Sequence, residues 1–157
     1  MTKLLVFSMH LDSSWDLNKG RLALIDTDGG ILGRWVATSG LGAYQDIGGW
    51  SKQGGGVIPP TYQCNPTFDN YWVETKPIDL SHVRGVEGMA YPITPWEVRT
   101  KQGVSRSDLL IHLDANVPGS MGCVVVVGED EYADFCKVFK KECSTEAKVK
   151  LFVIYTF

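Results

Sequence analysis

The chain has 157 residues, 44% of them hydrophobic, a size and composition for one domain, 1–157, with a substantial core. Fifteen basic against eighteen acidic residues leave a net charge of -3, which excludes the electrostatic footprint of a nucleic-acid or anionic-membrane binder. From Met1 to Ser8 there is one lysine and a short apolar run, Leu4 to Phe7, too short for a signal-peptide core or a membrane span; synthesis in the cytoplasm without a signal peptide is the expectation.

In chain order, Lys3 to Met9 reads as a strand and Leu11 to Lys19 as a polar connection. Arg21 to Asp26 and Ile31 to Ala37 are β-rich runs around Thr27-Asp28-Gly29-Gly30, and Asp-Gly between apolar runs predicts a hairpin. From Thr38 to Pro66 glycines and prolines crowd out regular structure. That segment reads either as the wall of a substrate groove, with Tyr44, Trp50 and Tyr62 as flat apolar surfaces, or as a solvent-exposed insertion. Short strands are expected within Asn70 to Thr75 and Val83 to Tyr91, and another over Trp96 to Thr100, with Pro92 and Pro95 breaking anything regular between them. Leu109 to Ile111 and Val124 to Val127 read as buried strands joined across a Pro118-Gly119 turn. Glu129 to Cys143 has helical spacing, with Tyr132, Phe135, Cys136, Phe139 and Cys143 on one face and three acids at its start. Val149 to Phe157 reads as a central or closing strand buried on both faces. The sum is a mainly β domain with one principal helix.

Four cysteines are present, at 64, 123, 136 and 143. Cys136 and Cys143 lie roughly 10 Å apart along a helix, beyond the reach of about 7 Å that a disulfide allows between Cα atoms. Cys64, Cys136 and Cys143 read as small buried apolar residues.

The chemistry-bearing stretch runs from Arg106 to Cys123. A thiol is a strong nucleophile only after losing its proton, and an imidazole within reach can take it. His112 and Cys123 flank a turn-rich loop and are the candidate base and nucleophile. Gly122, just before the cysteine, lets a substrate carbonyl approach the backbone, and the amides of Met121, Gly122 and Cys123 are candidates for an oxyanion hole. Asp114 is a candidate to orient the imidazole or to meet a substrate amine. Arg106, through its planar fork, and Ser120, Tyr62 and Tyr91 are the candidate substrate contacts, Ser120 serving either a substrate carbonyl or the turn itself. His10 and His82 stand in unrelated contexts. No paired zinc-ligand spacing and no calcium-loop pattern occurs, so neither metal nor other cofactor is expected.

At Ile111-His112-Leu113-Asp114 and Ser120-Met121-Gly122-Cys123-Val124 the chain resembles the L,D-transpeptidase catalytic domain (YkuD-like) family of peptidoglycan enzymes. Gly20 to Leu24, the turn Asp26 to Gly30, Thr38-Ser39-Gly40 and Gly54 to Tyr62 are similar to that family's early strands and glycine-proline loop. The resemblance implies a mixed β-sandwich and a cysteine enzyme that cleaves an L,D peptide bond of the stem peptide through a thioester. It also implies a backbone carbonyl, from Leu113 or a neighbour, on the far nitrogen of His112. Met121 stands where the family usually has a second histidine and the spacer is short, as in the branch found in phage proteins and interbacterial toxins. Hydrolysis is therefore favoured over cross-linking, at the periplasm or cell wall after delivery by other machinery. The alternative is a catalytically idle wall-binding or phage structural module on the same fold.

Overall fold

Asp28-Gly29 turns the chain between two β-rich runs, and the Asp28 amide donates to the Asp26 carboxylate across the turn, 3.0 Å away. The computed structural model of the protein describes residues 2–12, 17–115, 119–120 and 122–157. Its strands are β1 (Lys3–His10), β2 (Gly20–Asp26), β3 (Gly30–Ser39), β4 (Tyr71–Glu74), β5 (Ile78–Asp79) and β6 (Met89–Thr94). They continue with β7 (Glu97–Arg99), β8 (Ser105–Ser107), β9 (Leu110–Leu113) and β10 (Val124–Val126), then the helix α1 (Glu129–Cys143) and β11 (Lys148–Thr156).

The main sheet runs β4-β11-β1-β2-β3-β10-β9-β6-β5, and β4 also pairs with β6, closing a barrel-like ring with β5 attached outside the seam. β7 and β8 form a separate hairpin. Alternation decides which side chains point inward. Leu5, Phe7, Leu22, Leu24, Trp35, Ala37, Val73, Ile93, Ile111, Val124 and Leu151 are all part of one buried core. Helix α1 adds Phe135 and Phe139 to that core, edge-on to Trp35 and Tyr91 respectively, with ring centroids 5.0 Å apart in each pair. The helix has the bounds that the spacing predicts, and Tyr132, Phe135, Phe139 and Cys143 are its buried face. Among the described residues no helix is long and apolar enough to cross a membrane.

Three expectations are corrected. The final strand is buried on one face only: Val149, Leu151, Val153 and Tyr155 point inward, while Ile154 on the outer face is 50% exposed. It lies inside the ring, paired with β1 on one edge and β4 on the other. Pro92 does not break the chain but lies inside β6. The neighbouring Ile93 amide donates to the Leu109 carbonyl just before β9, so the Pro92 nitrogen faces the opposite edge. There the stretches paired with β5 and β4 leave residues 91 and 92 without a ladder partner. The segment 38–66 is neither an exposed insertion nor wholly a groove wall. It contains three short 3-10 turns, residues 55–60 are buried, and Trp50 stacks in the core on Tyr155.

Phe135 touches Trp35, Tyr91, Tyr132 and Phe139, so truncating it leaves a cavity that no neighbour fills. Phe135→Ala is expected to lower the unfolding free energy in urea titration by about 3–5 kcal/mol, and a loss below about 1 kcal/mol would contradict this packing.

Candidate functional site

β9 and β10 run parallel, with Ile111 beside Val124, His112 beside Val125 and Leu113 beside Val126. Ile111, Val124 and Val126 enter the main core, and Leu113 packs against it. The opposite parity, Leu110, His112 and Val125, therefore turns to the outer face of the ring. One step before Val124, Cys123 falls beside Leu110 on that same face. It packs at the margin of a small apolar cluster made of Val86, Ala90 and Leu110, with Leu80 and Val83. Two residues along and one strand across separate His112 and Cys123 by roughly 8 Å between Cα atoms, from about 3.3 Å per residue and about 4.8 Å between strands. Cys123 is partly exposed and carries no disulfide.

The sulfur has backbone partners. Cys123 Sγ donates to the Asp108 carbonyl at 3.4 Å, where Asp108 adopts a left-handed φ of 60° in the link from β8 to β9. Burial pushes the thiol up to about 12, and the Asp108 carboxylate pushes the same way. The Leu110 amide and the Arg106 guanidinium pull it down without offsetting the burial. Cys123 is therefore a thiol at neutral pH, and attack requires a base to remove its proton as the new bond forms.

His112 is 6% exposed, and its Nδ1 lies 2.7 Å from the Leu113 carbonyl. A carbonyl only accepts, so Nδ1 carries the proton and Nε2 keeps its lone pair. Burial lowers the imidazole below its usual value, and the Leu113 carbonyl only partly opposes this. The ring is thus neutral, in the tautomer a general base needs. Among the described hydrogen bonds none joins His112 to Cys123; the thiol's partner is the Asp108 carbonyl.

Gly122, at the entry to Cys123, has φ +121°, a conformation that favours glycine, and a Cβ there would meet Arg106 Nη2 at 2.4 Å. Met121, and the Pro118 of the expected turn, lie outside the described residues. Ser120 is buried. Its hydroxyl donates to the Cys123 carbonyl at 2.6 Å and accepts the Gly40 amide at 3.1 Å, so it ties the Cys123 turn to the residue that follows β3 instead of facing a ligand. Asp114 accepts the Gly119 amide on both carboxylate oxygens at 3.2 Å, bracing the loop, while the Leu113 carbonyl holds the imidazole nitrogen assigned to it. Burial raises the Asp114 carboxyl, and the Gly119 amide and Lys19 act against it.

Two further expected substrate contacts are corrected. Tyr91 pairs with Ile111 and shares its inward parity; it is 4% exposed, edge-on to Phe135 and Phe139, on the face of the sheet away from Cys123. Arg106 is 3% exposed, with Nη1 donating to the Trp50 and Val57 carbonyls and Nη2 to that of Gly56. It is a buried pin in the glycine-rich segment, not a surface fork. Tyr62, on the turn Thr61–Gln63, is 46% exposed. A cleft of about 440 Å³ lined by Cys64, Phe68, Pro95 and Val98 contains none of the expected site residues. Among the described residues no three His, Cys, Asp or Glu side chains cluster as metal ligands. The Asp108 carbonyl was not legible in the sequence, because backbone groups carry no residue signal.

The fold and site define a mainly β, barrel-like domain with a neutral imidazole and a thiol on one face of adjacent parallel strands. Comparison with family models, curated proteins and solved structures finds no match.

Two outcomes follow. Alkylation of Cys123 by iodoacetamide, read by peptide mass mapping, should accelerate continuously from pH 7 to beyond the ordinary thiol value of 9.0; a plateau near neutrality would mean a preformed thiolate. The lowered imidazole gives a stability contribution that is full above its ordinary 6.5 and is lost as pH falls through its folded value. Asp114, being raised, acts in the opposite sense, so the comparison is with His112→Asn: between pH 7 and 5 wild type should lose more unfolding free energy than the variant. Equal slopes would contradict the buried neutral ring.

Proposed function

We propose that the protein is a cysteine-dependent peptidoglycan enzyme that cleaves an L,D peptide bond of the stem peptide, in keeping with the L,D-transpeptidase-type motif at Ile111-His112 and Ser120 to Cys123. The observation that carries this reading is the shared outer face of His112 and Cys123, with Nδ1 held by Leu113 and Nε2 left as the base. The Cys123 sulfur attacks the carbonyl carbon of the L residue while His112 Nε2 takes the thiol proton. The oxyanion is held by backbone amides at Gly122 and Cys123, where the absence of a Cβ on Gly122 lets the substrate approach. When the C–N bond breaks, the imidazolium returns its proton to the departing D-residue amine. Water, deprotonated by the same nitrogen, then attacks the thioester and restores the thiol; an amine in its place gives exchange or transpeptidation. Met121 in place of a second histidine and the short spacer favour water. Exposed Tyr62 is the retained aromatic contact for the peptide, and the site of action is the periplasm or cell wall.

A second reading, a catalytically idle wall-binding module, draws on the thiol's bond to the Asp108 carbonyl and its raised ionisation. Incubation with purified tetrapeptide muropeptides, with and without added D-amino acid, separates the two by mass analysis. The enzyme should release the terminal D residue, and Cys123→Ala should reduce that release by at least about 1000-fold with the circular dichroism spectrum unchanged. Unaltered muropeptides with wild type, together with equal retention of wild type and variant on sacculi, would select the binding module.

A further inference from the structure

Arg106 is the middle residue of β8, a strand of three residues, and from there its guanidinium reaches the segment 50–57. Its Nη1 and Nη2 donate to three carbonyls of that segment, which fixes the plane of the fork. The same group also lies against Gly122. A Cβ on Gly122 would stand 2.4 Å from Nη2, and one on Gly56 would stand 3.0 Å from Nη1. The guanidinium is thus wedged between two glycines, one in the 50–57 segment and one immediately before the candidate nucleophile.

We propose that Arg106 is a positioning residue for the nucleophile turn: its guanidinium clamps the Gly122 backbone against the 50–57 segment and so sets the direction in which Cys123 and its amide face a substrate. This rests on the reading of Cys123 as the nucleophile. Three observations support it independently of that reading. The fork is fixed by backbone acceptors, so it transmits position, and the positive charge lies close enough to act on the Cys123 sulfur. The same segment that carries Arg106 then supplies the Asp108 carbonyl to the sulfur two residues on. Lysine keeps the charge but cannot reproduce three bonds from one plane.

Arg106→Lys and Arg106→Met, checked for folding by circular dichroism, test the role in muropeptide turnover. A positioning residue should lower kcat by about 10-fold to 100-fold with KM within about threefold, Lys retaining more activity than Met. A rise in KM at constant kcat would make Arg106 a substrate contact and overturn the proposal, as would unchanged kcat. If wild type turns over no muropeptide, the reading of Cys123 fails on its own, and the rate of Cys123 alkylation takes the place of kcat. A several-fold slower rate in Arg106→Lys supports the clamp and an unchanged one overturns it. Should the variants not fold, nitrogen-15 NMR of arginine side chains in wild type decides. The Arg106 signals should shift when Cys123 is carboxamidomethylated, and signals that stay put would sink the clamp.

Discussion

The parallel pairing of β9 with β10 is the constraint on which the candidate site depends. Strand alternation sends Ile111 and Val124 into the core, and that burial fixes the register. Once those two point inward, His112 and Cys123 have to share the outer face. A slip of one residue would bury the imidazole in the ring and turn Ile111 outward. The apolar core therefore sets the geometry of the polar pair.

A second regularity lies along one segment. Residues 106, 108, 110 and 112 each meet the turn at Cys123 or its face: a guanidinium on Gly122, a carbonyl and then an amide at the sulfur, and an imidazole two steps further on. At rest burial keeps the sulfur protonated, and the Leu110 amide offsets it only in part. This suits a general-base mechanism in which charge appears only when a substrate carbonyl is there to receive the sulfur's electrons. It also protects a partly exposed cysteine from adventitious oxidation, which needs thiolate.

The helix, the β2–β3 hairpin and the two valine- and leucine-rich strands around the site were legible because each rests on a local period or an Asp-Gly turn. The ring closure was not, since β4 and β6 meet over only two residue pairs far apart in sequence. Val149 to Phe157 misled for a related reason: Phe152 and Ile154 are apolar but point outward, so composition overstated burial. For the site, His112 and Cys123 stood out as residue types, and Leu113 as the acceptor followed from the family resemblance. Arg106 and Asp114 were misread in one direction, and of the two roles open to Ser120 the structure shows the one that holds the turn. Each is polar and close to the motif, which looked like ligand chemistry, yet each spends its hydrogen bonds on backbone groups of the glycine-rich loops. In a segment with so little regular structure those backbone groups need partners, and nearby polar side chains are what the chain has to offer. Tyr91 was misassigned by parity alone.

The central claim is that Cys123 becomes acylated. Turnover of a tetrapeptide muropeptide quenched in acid within the first few catalytic cycles, followed by digestion and mass mapping, reads that bond directly. The account predicts a tripeptide-containing mass increment on the peptide bearing Cys123, removed by neutral hydroxylamine as a thioester should be. Release of the terminal D residue with no increment on Cys123 at any quench time, or an increment on Cys64, Cys136 or Cys143 instead, would contradict it.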